Sequence, residues 1–345
     1  MELGNKIRQL RYKASLTQEQ LAEKLGISAQ AVSKWENSVA MPDITALPLL
    51  AEIFGVTIDD MFDLTNEQRL NRIENRMDAE EELPADIFRE FEDYLKAELN
   101  DEQNKKRATN LIAYLYWHRM NSYALKASRY AKEAVRLAPD VKESQWILLK
   151  TDGHAAWDWN MRNHIKAIDF YRELADADPN AALPLMYLLD NLLADHRADE
   201  AEAALARLRG IKGEDDVMCG IYRAHIALAR YDEPTADGII EELVSRDDGF
   251  ACLFEAAQYY AMKCDYDKAI EFYERSFANE PRRPRFQDEL MAIAQIHEIR
   301  GEYGKAAETY GRIVDLLENE WGLSEETDSG VTAAKKGRAR LLAKA

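Results

Sequence analysis

The chain has 345 residues, 47% hydrophobic and 31% charged, so it carries enough apolar side chain to bury a core and is no disordered polyelectrolyte. Only 15 Gly and 9 Pro favour helices over a turn-rich β-sandwich or a large βαβ sheet. Taken whole, the net charge of −18 argues against nucleic acid as a partner, although what matters is where the charge lies.

The first residues, MELGNKIR, are polar and lack the apolar centre of a secretory signal. The longest apolar run, 111–117, is far too short for a bilayer, so no membrane partner is expected. Cys219, Cys252 and Cys264 show no CxxC spacing, which predicts reduced thiols and a cytoplasmic protein.

Residues 1–66 pattern as five short helices. Leu3, Ile7 and Leu10 form an apolar stripe on the first. Thr17 with Gln20 three residues on makes a capping box for the second, and Gly26 suits the left-handed turn that stops it. Ser28 caps the third, the next carries Leu47, Leu50, Ala51, Ile53 and Phe54, and Ile58, Met61 and Phe62 close the set. Two helices of about eight residues around a glycine form a helix-turn-helix. Ala22 must be small where the helices cross, and Leu21, Leu25, Ile27, Val32 and Trp35 form the wedge that sets their angle.

The run LTQEQLAEKLGISAQAVSKWEN, 16–37, resembles the DNA-binding domain of the Cro/C1 (XRE-type) repressors, over about residues 3–64. The resemblance implies that the helix from Ser28 to Asn37 enters the major groove. It places Ala29, Gln30, Ser33 and Lys34 at base edges. Gln30 has the chemistry to pair with adenine and Lys34 to donate to guanine, while Ala29 offers a methyl contact to thymine. Gln18, Ser28 and Asn37 are expected at phosphates, and Arg11 and Glu36 as a structural ion pair. Double-stranded DNA is the implied partner. Residues 1–38 carry six basic and four acidic side chains, net +2, which leaves −20 on the rest. So modest a charge predicts a homodimer on two half-sites.

Residues 67–107 pattern as a helical linker. Leu70, Ile73 and Met77 mark one helix, Ile87, Phe88, Phe91, Leu95 and Leu99 another, and Glu80, Glu81 and Glu82 a solvated break between domains. From 108 to 322 alanines recur at 127, 167, 201, 236, 269 and 306, a period near 34. Four residues after each stands a large or core-filling side chain, among them Tyr171, Tyr273 and Tyr310. This period resembles the tetratricopeptide repeat, whose stacked helix pairs build an α-solenoid with a concave groove. The first helices of such pairs place Tyr116, Met186, Asp190, Tyr222, His225, Phe254, Gln258, Met291 and Gln295 in the groove, with Gln258 and Gln295 spaced for an extended peptide. Cys219 and Cys252 share a repeat position and pattern as small core fillers. Residues 323–345, basic from 331 onward, pattern as a capping helix.

No nucleophile elbow, phosphate loop or metal-ligand spacing occurs, so neither an enzyme, a cofactor nor a metal is expected. The expectation is an all-α bacterial protein, a five-helix Cro/C1-type domain followed by a tetratricopeptide-like α-solenoid. This architecture resembles the peptide-pheromone-sensing regulators of Gram-positive bacteria. It implies a sequence-specific transcriptional regulator with a peptide or protein ligand in its groove. The alternative is a protein–protein adaptor whose helix-turn-helix does not read DNA.

Overall fold

The computed structural model describes residues 3–62, 65–153, 158–326 and 328–345. Among them every regular element is a helix, and no helix is long and apolar enough to cross a membrane. The chain forms two compact units, Met1–Ala155 and Ala156–Ala345.

The first unit opens with α1 (Leu3–Lys13), α2 (Gln18–Leu25), α3 (Ala29–Glu36), α4 (Leu47–Phe54) and α5 (Ile58–Met61). Thr17 forms the expected capping box on α2, and Gly26 ends it at φ 67. Ser28 caps α3 by accepting from the Ala31 N–H. Ile7, Leu10, Leu21, Ala22, Val32, Trp35, Leu50, Ala51 and Met61 form one core. Three expected members differ: Ile27, Ile58 and Phe62 are exposed. Ile27 belongs to the turn itself, its N–H held by the Ala22 carbonyl, so its side chain leaves the crossing point. One contact carries no apolar signature in the sequence. A methyl group at Gly4 would run into the Trp35 carbonyl oxygen, so glycine is what lets α1 cross the end of α3.

Four helices follow: α6 (Asn66–Ala79), α7 (Ala85–Glu98), α8 (Lys105–Leu137) and α9 (Lys142–Thr151). The expected linker has a core of its own. Leu70, Ile73 and Met77 of α6, Leu83 just before α7, Phe91 and Leu95 of α7, and Ala108, Leu111 and Leu115 of α8 pack together. The acidic run is an exposed break, but it joins α6 and α7 of one core instead of two domains, with Glu80 paired to Arg76, Glu81 to Arg129 and Glu82 to Lys126. The repeat expected around Ala127 is one unbroken helix of 33 residues. No Gly or Pro interrupts residues 105–137, so nothing stops it before Pro139.

The second unit begins with α10 (Trp159–Arg162) and α11 (Ile165–Ala177) and continues as helix pairs. These are α12 (Ala182–Ala194) with α13 (Ala198–Lys212), α14 (Val217–Ala229) with α15 (Glu233–Arg246), α16 (Phe250–Met262) with α17 (Tyr266–Asn279), and α18 (Asp288–Ile299) with α19 (Tyr303–Asn319). Ala201, Ala236, Ala269 and Ala306 lie fully buried on the second helix of each pair. Cys219 and Cys252 are buried on successive first helices. The turn inside each pair passes through a left-handed residue, His196, Tyr231, Cys264 and Gly301, with φ between 56 and 71. At each, its N–H and the next return to carbonyls of the first helix, closing the orphaned end. The first helices α12, α14 and α16 also touch one another in series, making an inner layer. Helix α20 (Ser329–Leu342) packs on α19 through Val331, Ala334 and Leu341, and its Arg340 pairs with Glu298.

Candidate nucleic-acid interface

Helix α3 is fixed in the first unit from one side. Glu36 at its end is 1% exposed. Its carboxylate accepts from Arg11 Nε at 2.5 Å and Nη2 at 2.9 Å, and from Gln18 Nε2 at 2.8 Å. Burial alone would raise the Glu36 acid, but the Arg11 and Gln18 hydrogen bonds and the nearby guanidinium charges of Arg11 and Arg8 outweigh it and hold it below the usual carboxylate range. Arg11 and Glu36 thus tie α1 to α3 as a bidentate pair. Arg8 adds a bond to the Glu36 carbonyl at 2.6 Å and to Asn37 Oδ1 at 2.7 Å. Sequence reasoning missed Arg8, although its place one turn before Arg11 on α1 puts both on one face.

The opposite side of α3 is open. Gln30 and Lys34 are exposed and four residues apart, hence on one face. Among the described residues neither has a hydrogen-bond or ion-pair partner. Ser33 is half-buried, and Ala29 packs its methyl against the core. Ser28 Oγ is used by the Ala31 N–H at 3.2 Å. Gln18 spends one amide N–H on Glu36 and keeps a second. Asn37 donates to the Ser33 carbonyl at 2.9 Å, with a looser 3.4 Å contact to Ser33 Oγ.

The Helix-turn-helix family profile matches residues 7–61. Over 60 residues the chain is 40% identical to the uncharacterized HTH-type transcriptional regulator MJ0272 of Methanocaldococcus jannaschii, which is 17% of this chain and 91% of that protein. The chain belongs to the helix-turn-helix family. This family member is also 42% identical over 76 residues to the HTH-type transcriptional activator BcrR of Enterococcus faecalis. That match covers 22% of the chain and only 37% of BcrR. Among solved structures it is similar to the SHP pheromone receptor Rgg2 of Streptococcus dysgalactiae, at 12% identity and a TM-score of 0.27, over 79% of this chain and 98% of that one.

In the second unit, Met186, Asp190, Tyr222 and His225 come together in one cleft of the inner layer, along with Tyr187, Met218 and Glu255. Phe254 and Glu255 open onto the next cleft beside Phe250, Phe286 and Glu289. Gln258, Met291 and Gln295 line neither: Gln258 accepts from the Tyr273 hydroxyl at 2.8 Å, Met291 packs on the core, and Gln295 is exposed. Tyr116 is corrected outright. It lies on α8 in the first unit, edge-on to Phe88 and bonded to Glu92, because the expected first repeat is not a helix pair. Glu255 was missed, yet the period could have found it, since it holds the register of Tyr187 and Tyr222.

Asp190 accepts from the Tyr222 hydroxyl at 2.8 Å. Burial pushes the Asp190 acid up against that hydrogen bond, and burial together with the Asp190 charge pushes Glu255 up. Burial pushes His225 down, toward its neutral form. Among the described residues no cation pairs with either carboxylate.

Proposed function

We propose that the chain is a sequence-specific DNA-binding transcriptional regulator. Residues 1–66 contact the duplex, and the inner layer of the second unit holds the ligand. The observation that carries this is the division of labour on α3. Arg8, Arg11, Gln18 and Glu36 anchor one side, while Gln30 and Lys34 are presented on the other with nothing to hold. Two unpartnered polar side chains one helical turn apart match the spacing at which a helix in the major groove meets adjacent base pairs. Ser33, half-buried, flanks them at the base edges, whereas Ala29 spends its methyl on the core. The Ser28 cap, the spare Gln18 N–H and the loosely held Asn37 N–H serve phosphates. Membership in the helix-turn-helix family supports the assignment.

The cleft supports a peptide ligand or a protein segment as its occupant. Met186, Met218, Tyr187 and Phe254 supply adaptable apolar contact. The uncompensated Asp190 and Glu255 favour an occupant bearing an amine or guanidinium. Binding there regulates DNA affinity only if it prefers one of two conformations. The test of the DNA assignment is selection of the full chain against randomised duplexes. Enrichment of one motif, arranged as two half-sites, is expected, and a pool that stays random would overturn it. For the cleft, a thermal-shift screen of short peptides should raise the melting temperature with basic apolar sequences. The gain should vanish in Asp190→Asn/Glu255→Gln.

A further inference from the structure

Within the first unit helix α8 packs on α6 and α7 with one face and on α9 with another, and a third, apolar face is left over. Ala108, Leu111, Leu115, His118 and Ser122 turn inward to α6 and α7. A second stripe runs down another side: Tyr116, Met120, Tyr123, Ala127, Tyr130, Ala134 and Leu137. Its steps alternate four and three residues without a break, the heptad spacing of a seam that meets another helix. Its large members lie open to solvent, with Met120 62%, Tyr123 51%, Tyr130 80% and Leu137 79% exposed, while Ala127 and Ala134 are half-buried and Tyr116 also leans on Phe88. Isolated exposed apolar residues need no explanation, but four large ones in heptad register on one helix do.

We propose that this stripe is a self-association seam, on which α8 of a second copy lies antiparallel. The argument is in the sizes. One set of seam positions carries Ala113, Met120, Ala127 and Ala134, and the other carries Tyr116, Tyr123, Tyr130 and Leu137. A parallel pair stacks like on like, leaving alanine against alanine and tyrosine against tyrosine. Reversing one helix about residue 125 pairs every member of one set with a member of the other. Tyr123 then meets Ala127 of the second copy, Tyr116 meets Ala134, Met120 meets Tyr130 and Ala113 meets Leu137. Large side chains fill the space left by small ones in three of the four layers, as knobs need holes. The register is self-complementary about one point, which a two-fold dimer requires and a foreign partner would not. The seam spans 24 helical steps, or ~36 Å. It supplies the dimer that two half-sites call for, and to that extent rests on the DNA assignment, but it stands on the geometry of α8 alone.

The test uses the full chain. Sedimentation velocity should give twice the 39.5 kDa chain mass. In Tyr123→Glu/Tyr130→Glu, with helix content unchanged, the dissociation constant should rise by at least ~30-fold, because two charges enter an apolar seam. Register is read by cross-linking on a Cys264→Ser background, which removes the exposed native thiol. Met120→Cys and Tyr130→Cys chains should form disulfide dimers when mixed and not when alone. Dimers from either variant alone indicate like-on-like stacking and overturn the antiparallel register. A Tyr123→Glu/Tyr130→Glu chain that still dimerises like the parent overturns the seam, as does a parent that stays monomeric. A chain that dimerises but enriches no duplex fails the DNA assignment and leaves the seam intact.

Discussion

Glu36 in the first unit and Tyr260 in the second are each 1% exposed, but their surroundings have little in common. Glu36 is held by charge-assisted hydrogen bonds from Arg11 and Gln18, side chains distant in sequence that meet at one point. Tyr260 is held by area: its ring stacks on Phe272 at 5.5 Å and meets Tyr259 edge-on at 5.2 Å. The small domain concentrates its order in one polar latch, whereas the repeats spread theirs over similar layers. A chain of some sixty residues buries too little apolar surface to position a helix by packing alone, and a specific latch makes up the difference.

The sharpest way to break this contrast is to remove the latch. Glu36→Ala strands the buried Arg11 guanidinium and should destabilise the first unit by about 3–5 kcal/mol. The exposed pair partner Glu200 in the second unit should cost under ~1 kcal/mol when replaced by Ala. Hydrogen exchange read separately over the two units measures both. Equal losses would erase the distinction.

Two glycines extend it. Gly4→Ala drives a methyl into backbone, the Trp35 carbonyl, and should cost about 2–3 kcal/mol. At Gly220 the added methyl meets a side chain instead of backbone, Leu243 Cδ2 at 2.6 Å and Cγ at 3.1 Å, and that buried leucine must shift within the repeat core. The better helix propensity of alanine offsets part of that strain, leaving a cost of about 1–2 kcal/mol. Denaturant midpoints of the two variants should therefore differ, with Gly4→Ala the lower.

Acid separates the carboxylates by sign. Glu36 titrates below its unfolded value, so its stabilisation is present above the unfolded pKa and is lost as pH falls through the folded one. Glu255 titrates above its unfolded value, so it carries a penalty near pH 7 that is relieved as pH falls below the ordinary carboxylate range. Glu255→Gln should thus stabilise the second unit at pH 7 and leave it unchanged at pH 3. Glu36→Gln should do harm at pH 7 that shrinks in acid. Thermal unfolding at the two pH values distinguishes them.

The smallest effect concerns the turns. Among the turns inside the helix pairs of the second unit, three place a non-glycine residue in the left-handed conformation, His196, Tyr231 and Cys264. Tyr231→Gly, at an 89% exposed side chain, should raise the stability of the second unit by about 0.5–1 kcal/mol.

How far the sequence could be followed varied with the kind of force involved. The five helices, their caps and the glycine turn are local, and they stand where Thr17, Gly26 and Ser28 signal them. The buried alanines of the repeats are equally visible, since the period repeats the same packing demand. What stayed hidden needs two distant segments at once: Gly4 under Trp35, Arg8 at the end of α3, and the core formed by the expected linker. Tyr116 and the first repeat went astray for a different reason. A period of alanines does not reveal where a turn is missing, and α8 contains no residue that would break it. Gln258 and Gln295 share a register but not a cleft, because lining depends on what the neighbouring helix already covers.

The most direct measurement compares the full chain with Gln30→Ala/Lys34→Ala on the duplex it selects and on an unrelated one, at one fixed salt concentration. Loss of two base contacts should weaken binding to the selected duplex by roughly 30-fold or more while leaving the unrelated duplex within a few-fold. Equal affinity of the two proteins for the selected duplex, with the same motif enriched by both, would contradict the assignment of α3 as the helix that reads DNA.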